Sequence, residues 1–345
     1  MESLKTIVAI RFSAMGDAAM TIPVMRNVLA ANPGIQIVFV TNAKWGAMCE
    51  GIPRLIFFPA DLKGEHKGVP GLFKLFRQIK SRYKVSAVAD LHQVLRSQIV
   101  RTFFRCTFTK VAVIDKGRAG KKALTRQENK VMEPLTTTVE RYAEVFRKLG
   151  YQAPLDPLPR ERKPLPANVS AIVGEKGGDH WIAIAPFATY REKMYPLAKM
   201  EAVIAHFSQQ ANTKILLFGG GKKEVEQLQA VQEKYPNTVL LAGRVGLAEE
   251  LAVISNVDVM VSMDSANMHL ASLFAVPVVS VWGATHPFAG FMGYGQSDAN
   301  AVQIELSCRP CSVFGNKPCF RGDWACMEDI LPSQIIYKIE QLLKK

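Results

Sequence analysis

No stretch of this sequence approaches the ~18 uninterrupted apolar residues that a membrane-spanning helix needs. The G-x-G-x-x-G of a dinucleotide fingerprint is missing after the first apolar run, which argues against a dehydrogenase. The G-x-x-x-x-G-K-[ST] spacing of a Walker A loop is missing too. No two aspartates stand two apart, so the Asp-x-Asp pair that commonly holds Mg²⁺ or Mn²⁺ is absent. Cysteine is sparse, at six in 345 residues. The first apolar run, Ile7–Ile10, is broken by Arg11 and is too short for an export signal, so the chain is expected in a reducing cytoplasm without a disulfide framework. There is no internal repeat, low-complexity tract or RNA-type aromatic motif.

Acidic residues are scarce in one half only. Residues 1–150 hold 25 Lys and Arg against 11 Asp and Glu, and the remainder 18 against 19, so the net charge of +13 arises in the first half. Such an excess creates a field that draws an anionic partner or membrane surface, although a solvated basic face is the plainer alternative. Its densest run spans Arg101 to Lys130 and includes Arg118, Lys121 and Lys122.

At 345 residues, 48% hydrophobic and 21% charged, the chain suits two folded domains. Apolar runs at Thr6–Phe12, Ile35–Thr41, Leu55–Phe58, Val85–Asp90 and Lys110–Ile114 read as strands. Helical patterns alternate with them, and Thr138–Leu149 closes the half. Ala153–Pro166 holds five prolines and reads as a linker. The alternation restarts at Trp181–Ala185, Thr213–Phe218, Thr238–Leu241, Val257–Val261 and Val276–Val281. Strand–helix alternation predicts an α/β fold of two Rossmann-like domains with parallel sheets facing a central cleft. The expected domains are residues 1–152 and 167–345, with 153–166 between them and the last helix returning to the first domain. Ligands in such sheets gather at the carboxyl ends of the strands.

Four loops at those ends carry polar chemistry. Arg11-Phe-Ser-Ala-Met-Gly16-Asp17 follows the first strand. Asp17 is either an N-cap or a carboxylate able to take a proton from a hydroxyl. Pro186–Pro196 offers Thr189, Arg191 and Lys193, suited to a diphosphate or merely exposed. Phe218-Gly-Gly220-Gly221-Lys-Lys-Glu224 lets backbone approach a ligand ahead of a helix N-terminus, a weak signal by itself. The fourth loop, Asp264-Ser265-Ala266-Asn-Met-His269, opens a helix with free N–H groups, and His269 shares a face with Ser265. Strand–Gly283-x-Thr285 follows it.

Three of these motifs, Arg-x-x-x-x-Gly-Asp at Arg11–Asp17, Lys-x-Tyr-Pro at Lys193–Pro196 and Asp-Ser-x-x-x-His-Leu-Ala…Pro-Val-Val-x-x-x-Gly-x-Thr at Asp264–Thr285, closely resemble those of the lipopolysaccharide heptosyltransferases, glycosyltransferase family 9. The resemblance covers nearly the whole chain. It implies a GT-B fold and inverting transfer from an ADP-sugar to an anionic lipid A–core acceptor at the inner membrane face, with no essential metal and no nucleic acid partner. It places Asp17 as general base, Lys193 on phosphate or sugar, Glu224 near the donor ribose, Val245 against adenine, and Asp264 and His269 in the donor site. Ser265, Ala266 and Asn267 stand where Thr or Ser, Gly, and Pro or Leu are usual.

Cys308, Cys311, Cys319 and Cys326 fall within 19 residues, with one C-x₂-C pair. They are expected either to hold a structural Zn²⁺ or to be reduced packing thiols. Cys49 and Cys106 read as core residues. Two other functions fit less of the sequence: a nucleotide-sugar 2-epimerase on the same architecture, or a basic non-catalytic binding protein.

Overall fold

The structure is a computed structural model and describes residues 4–344, so the outermost ends of both expected domains, residues 1–3 and Lys345, lie outside the described residues. Its first stretch runs β1 (Lys5–Ile10), α1 (Met15–Ala31), β2 (Ile35–Asn42), β3 (Leu55–Ala60), α2 (Gly68–Arg82), β4 (Val85–Asp90), α3 (Leu95–Arg105) and β5 (Lys110–Val113). Then come α4 (Arg118–Thr125), α5 (Thr138–Leu149) and α6 (Ala167–Val173). The rest runs β6 (His180–Ala185), α7 (Leu197–Ser208), β7 (Thr213–Leu217), α8 (Lys222–Lys234), β8 (Thr238–Leu240), α9 (Leu247–Asn256) and β9 (Val259–Met263). It closes with α10 (Ala266–Ser272), β10 (Val278–Val281), β11 (Ala301–Val302), α11 (Ala325–Glu328) and α12 (Pro332–Leu343).

The chain packs as two compact units. One holds the residues up to Lys116 together with Thr137–Pro157, and the other holds Gly117–Thr136 with everything from Leu158 onward. In the first, a five-stranded sheet has the order β3-β2-β1-β4-β5; in the second, a six-stranded sheet has the order β11-β10-β9-β6-β7-β8. All pairings are parallel. Counted within each unit, both follow the Rossmann order 3-2-1-4-5, and the second adds a sixth strand. The topological switch points therefore lie between β1 and β4 and between β6 and β9. Ile7–Ile10 and Ile182–Ile184 are wholly buried, as central parallel strands covered on both faces must be.

Sequence expectation and structure differ in three places. Residues 117–136, expected in the first domain, belong to the second unit. Their contacts explain this: the Leu135 N–H donates to the Phe288 carbonyl at 2.9 Å, and the Lys121 ammonium sits 4.3 Å from the Phe291 ring centre. Lys130 donates to the carbonyls of Cys308 and Pro310. The last helix, α12, buries Ile335 and Ile339 in the core of the second unit, alongside α7, rather than returning to the first. Cys106, expected in the core, is exposed at the end of α3, while Cys49 is buried.

Candidate functional site

In the second unit the two strands flanking the switch point each deliver one charge. A short 3₁₀ turn, Arg191–Lys193, follows β6, and Asp264 follows β9 directly. Lys193 Nζ lies 3.0 Å from Asp264 Oδ2, and both side chains are largely buried. Four packing features fix this pair. The Ala284 N–H donates to the Glu192 carbonyl at 3.1 Å, pinning the turn to the loop after β10. Gly283 makes that approach possible, because a Cβ there would lie 2.7 Å from the Glu192 carbonyl oxygen and 2.7 Å from Met327 Cγ. Gly315, at φ +75°, backs the Lys193 stem so closely that a Cβ would stand 2.4 Å from its Cγ and Cδ. Arg309, 3% exposed, donates to the carbonyls of Gly283, Trp282 and Thr285, holding the loop after β10 from beneath.

Ser265 caps α10, its hydroxyl 3.1 Å from that of Ser262. Ala266 is the first residue of this short helix, and His269 is buried on it. The next strand, β7, leads to the glycine turn. There the Gly220 N–H donates to Glu224 Oε2 at 2.7 Å, so Glu224 closes the first turn of α8 on itself. Gly220, Gly221 and Glu224 line a cavity of about 550 Å³ together with Phe187, Arg191 and Lys223. Thr189 is exposed on the loop after β6, and Val245 is half-buried in the turn after β8; neither lines that cavity. The structure thus joins Lys193 to Asp264 and gathers Glu224 with the glycines, but leaves Thr189 and Val245 apart from both groups.

The first unit repeats the pattern with opposite emphasis. Asp17 is the third residue of α1, following β1. Its Oδ2 accepts from the Arg11 guanidinium at 2.5 Å and from the Ala14 N–H at 3.2 Å. Tyr142, fully buried on α5, donates to the Asp17 carbonyl at 3.5 Å, and the Arg11 guanidinium lies over its ring. Arg11 is itself held by the Leu91 carbonyl just beyond β4. From the same strand end His92 accepts the Phe12 N–H at Nδ1, which leaves Nε2 to carry the proton toward the Ser13 hydroxyl at 3.4 Å. Burial, then Arg11 and Lys116, push the His92 pKa down to about 3, so the ring is neutral. Asp90, with no exposed surface, accepts from the His92 and Gln93 N–H groups, the Ser97 hydroxyl and Arg101, and so shapes the turn carrying His92. Sequence reading missed His92, Asp90 and Arg309. The only signal for the first two was their position at the end of the fourth strand.

Two expected sites change character. Arg118, Lys121 and Lys122 belong to the second unit. Lys121 is half-buried against Phe291 and Phe314, while Arg118 and Lys122 are exposed. The four clustered cysteines do border one small cavity, of about 10 Å³. Among the described residues, however, no three His, Cys, Asp or Glu side chains stand close enough together to hold a metal ion, so the zinc expectation does not carry over. Burial instead pushes the Cys326 thiol up to about 12 and raises that of Cys311, as for packing thiols in an apolar pocket.

The sequence matches the profile of glycosyltransferase family 9 (heptosyltransferase) over residues 72–318. The chain belongs to this family. Among its relatives is lipooligosaccharide heptosyltransferase 2 of Campylobacter jejuni subsp. jejuni, 27% identical over 174 residues, which are 49% of this chain and 53% of that protein. The chain therefore aligns with about half the length of this relative. Solved family 9 structures share the fold over the full length. A glycosyl transferase family 9 protein from Veillonella parvula superposes with a TM-score of 0.76 at 21% identity, covering 100% of this chain and 98% of that one. The E. coli heptosyltransferase WaaC, solved with ADP-2-deoxy-2-fluoro heptose, gives 0.67 at 17% identity, covering 97% and 99%.

Proposed function

We propose that this family 9 chain is an inverting, metal-independent glycosyltransferase, moving a heptosyl group from an ADP-sugar to a hydroxyl of an anionic lipid A–core lipopolysaccharide acceptor. The observation that carries the reading is the Lys193–Asp264 pair at the switch point of the second unit. A cation fixed there, beside the helix start at Ser265 and Ala266, is placed to meet the charge of a departing nucleoside diphosphate. In the transfer, the acceptor oxygen attacks the anomeric carbon from the face opposite the diphosphate. The C–O bond to ADP breaks, and ADP leaves with the electron pair. Asp17 takes the proton of the attacking hydroxyl. Its Oδ2 is tied to Arg11 and Ala14, which directs Oδ1 to that task. His269 and Asp264 orient the donor and Glu224 meets the ribose at the glycine turn, while Val245 and Thr189, which do not line that cavity, are assigned to the nucleotide on the family resemblance alone. The exposed Arg118 and Lys122 are available to acceptor phosphates.

A transfer assay with ADP-heptose and a lipid A–core acceptor, run with and without EDTA, tests the reading. Product of inverted anomeric configuration in both conditions supports it. Strict dependence on added Mg²⁺ overturns the metal-independent mechanism. Conversion of donor alone to its 2-epimer overturns the transfer itself.

A further inference from the structure

The outer face of α2 and α3 in the first unit combines two features that seldom share a surface. From Lys67 to Ile114 the sequence holds ten Lys and Arg and a single carboxylate, Asp90. Asp90 is wholly buried and taken up by Arg101, so no carboxylate of this stretch reaches the surface. Lys74 reaches back to Glu65, but Arg77, Lys80, Lys84, Arg96 and Arg105 all lie exposed. The unit as a whole carries 20 Lys and Arg against 10 Asp and Glu, a net +10, while the other unit has 23 against 20.

Among these cations stand large apolar side chains. Val69 and Phe73, one turn apart on α2, are 56% and 45% exposed, and Leu95 at the start of α3 is 72% exposed. Phe73 meets Phe103 of α3 edge-on at 5.2 Å, which anchors the ridge to the core beneath through Phe76 and Phe104. On α2 the row Val69, Phe73, Arg77, Lys80 runs at helical spacing from apolar to basic. Apolar side chains at one end of the exposed face and cations at the other suit a membrane interface, with the apolar end in the acyl boundary and the cations at the headgroups. A nucleic acid backbone would satisfy the cations but would give nothing to exposed Val69, Phe73 and Leu95. An anionic lipid surface rewards both.

We infer that the α2–α3 face docks on an anionic phospholipid surface, with Val69, Phe73 and Leu95 inserting and Arg77, Lys80 and Lys84 meeting the headgroups. None of these residues belongs to the site described above, and the inference does not depend on transfer activity. Co-sedimentation of the full chain with phosphatidylcholine vesicles, with and without phosphatidylglycerol, tests it in the absence of any glycolipid acceptor. Binding should require phosphatidylglycerol and weaken as salt rises, because the attraction is screened over ~8 Å at physiological ionic strength. Phe73→Glu and Arg77→Glu/Lys80→Glu should each lower binding at least tenfold while circular dichroism and ADP affinity stay unchanged. The charge-reversal variant lies wholly on the surface, so it tests the idea even if Phe73→Glu loosens the aromatic cluster. Equal binding to neutral vesicles, binding unaffected by both variants, or tighter salt-dependent binding to duplex DNA than to vesicles would each overturn the inference.

Discussion

Replacing Lys193 with alanine should damage ADP binding in two separable ways. A charge-assisted hydrogen bond to phosphate is worth about 1.5–3 kcal/mol, or roughly 10- to 150-fold in Kd. The second loss comes from the partner. Asp264 is 7% exposed at its side chain, and without Lys193 it becomes an uncompensated carboxylate near the position assigned to the diphosphate. Removing one member of a buried ion pair costs more than removing both, because the stranded charge has lost its water and its partner. Lys193→Ala/Asp264→Asn should therefore bind ADP more tightly than Lys193→Ala alone, with a coupling of about 0.5–3 kcal/mol. Isothermal titration with ADP measures all four corners of this double-mutant cycle. Thermal melting of the same proteins should show the double variant recovering stability lost by the single one. If the two substitutions add independently, or if ADP affinity is indifferent to Lys193, the pair is a structural tie and the donor-site assignment falls.

Asp17→Ala should lower turnover at least ~100-fold with ADP affinity nearly intact, as for loss of a general base; near-normal turnover would make Asp17 only the residue that closes the start of α1. Gly315→Ala should weaken ADP binding although Lys193 itself is unchanged, because the new methyl meets the Lys193 stem at 2.4 Å and the backbone sits at φ +75°; unaltered titration would show that the stem moves aside freely. Stability should also carry opposing pH dependences. His92 and His286 are pushed down to about 3 and about 4, mainly by burial, so the unfolded chain binds protons first and stability is lost as pH falls from 6.5 toward those values. Glu250 is pushed up to about 7 by burial from an ordinary 4.5, so its contribution is lost as pH rises through that window. Glu250→Gln should accordingly stabilise the fold by about 1–3 kcal/mol above pH 7, read as a higher Tm, and leave it nearly unchanged below pH 4.5; equal shifts at both ends would refute the assignment.

Much of the architecture was legible because buried parallel strands are short apolar runs. Ile7–Ile10, Val38–Val40 and Ile182–Ile184 announce themselves, and the five prolines of 153–166 mark a stretch without regular structure. Local spacing also placed Asp17, Lys193 and Asp264 at strand ends. It did not show that Lys193 and Asp264 touch, since that depends on β9 lying beside β6, a neighbour distant in sequence. His92 was missed for the same reason: its partners Phe12 and Ser13 arrive from another strand. The basic run around Arg118–Lys130 was assigned to the first domain because it precedes the prolines. Its real neighbours, Phe288, Phe291 and the carbonyls of Cys308 and Pro310, lie more than 150 residues further on. Periodicity finds elements but is blind to which core a short helix such as α4 joins.

The excursion of residues 117–136 has a consequence for how this chain can be made and cut. The chain passes from one unit to the other at 116–117, returns at 136–137, and leaves again at 157–158. Neither unit is a contiguous fragment. A ribosome releases α4 before any of its aromatic partners exist, so Lys121 waits without the rings of Phe291 and Phe314 until those residues emerge. The first unit in turn closes only once α5 has followed. A truncation at the proline stretch would leave the amino-terminal piece carrying a helix made for the other core. The carboxyl-terminal piece would leave Phe291 and the Cys308 carbonyl without Lys121 and Lys130. The two halves should be soluble when synthesised together and aggregation-prone when expressed apart.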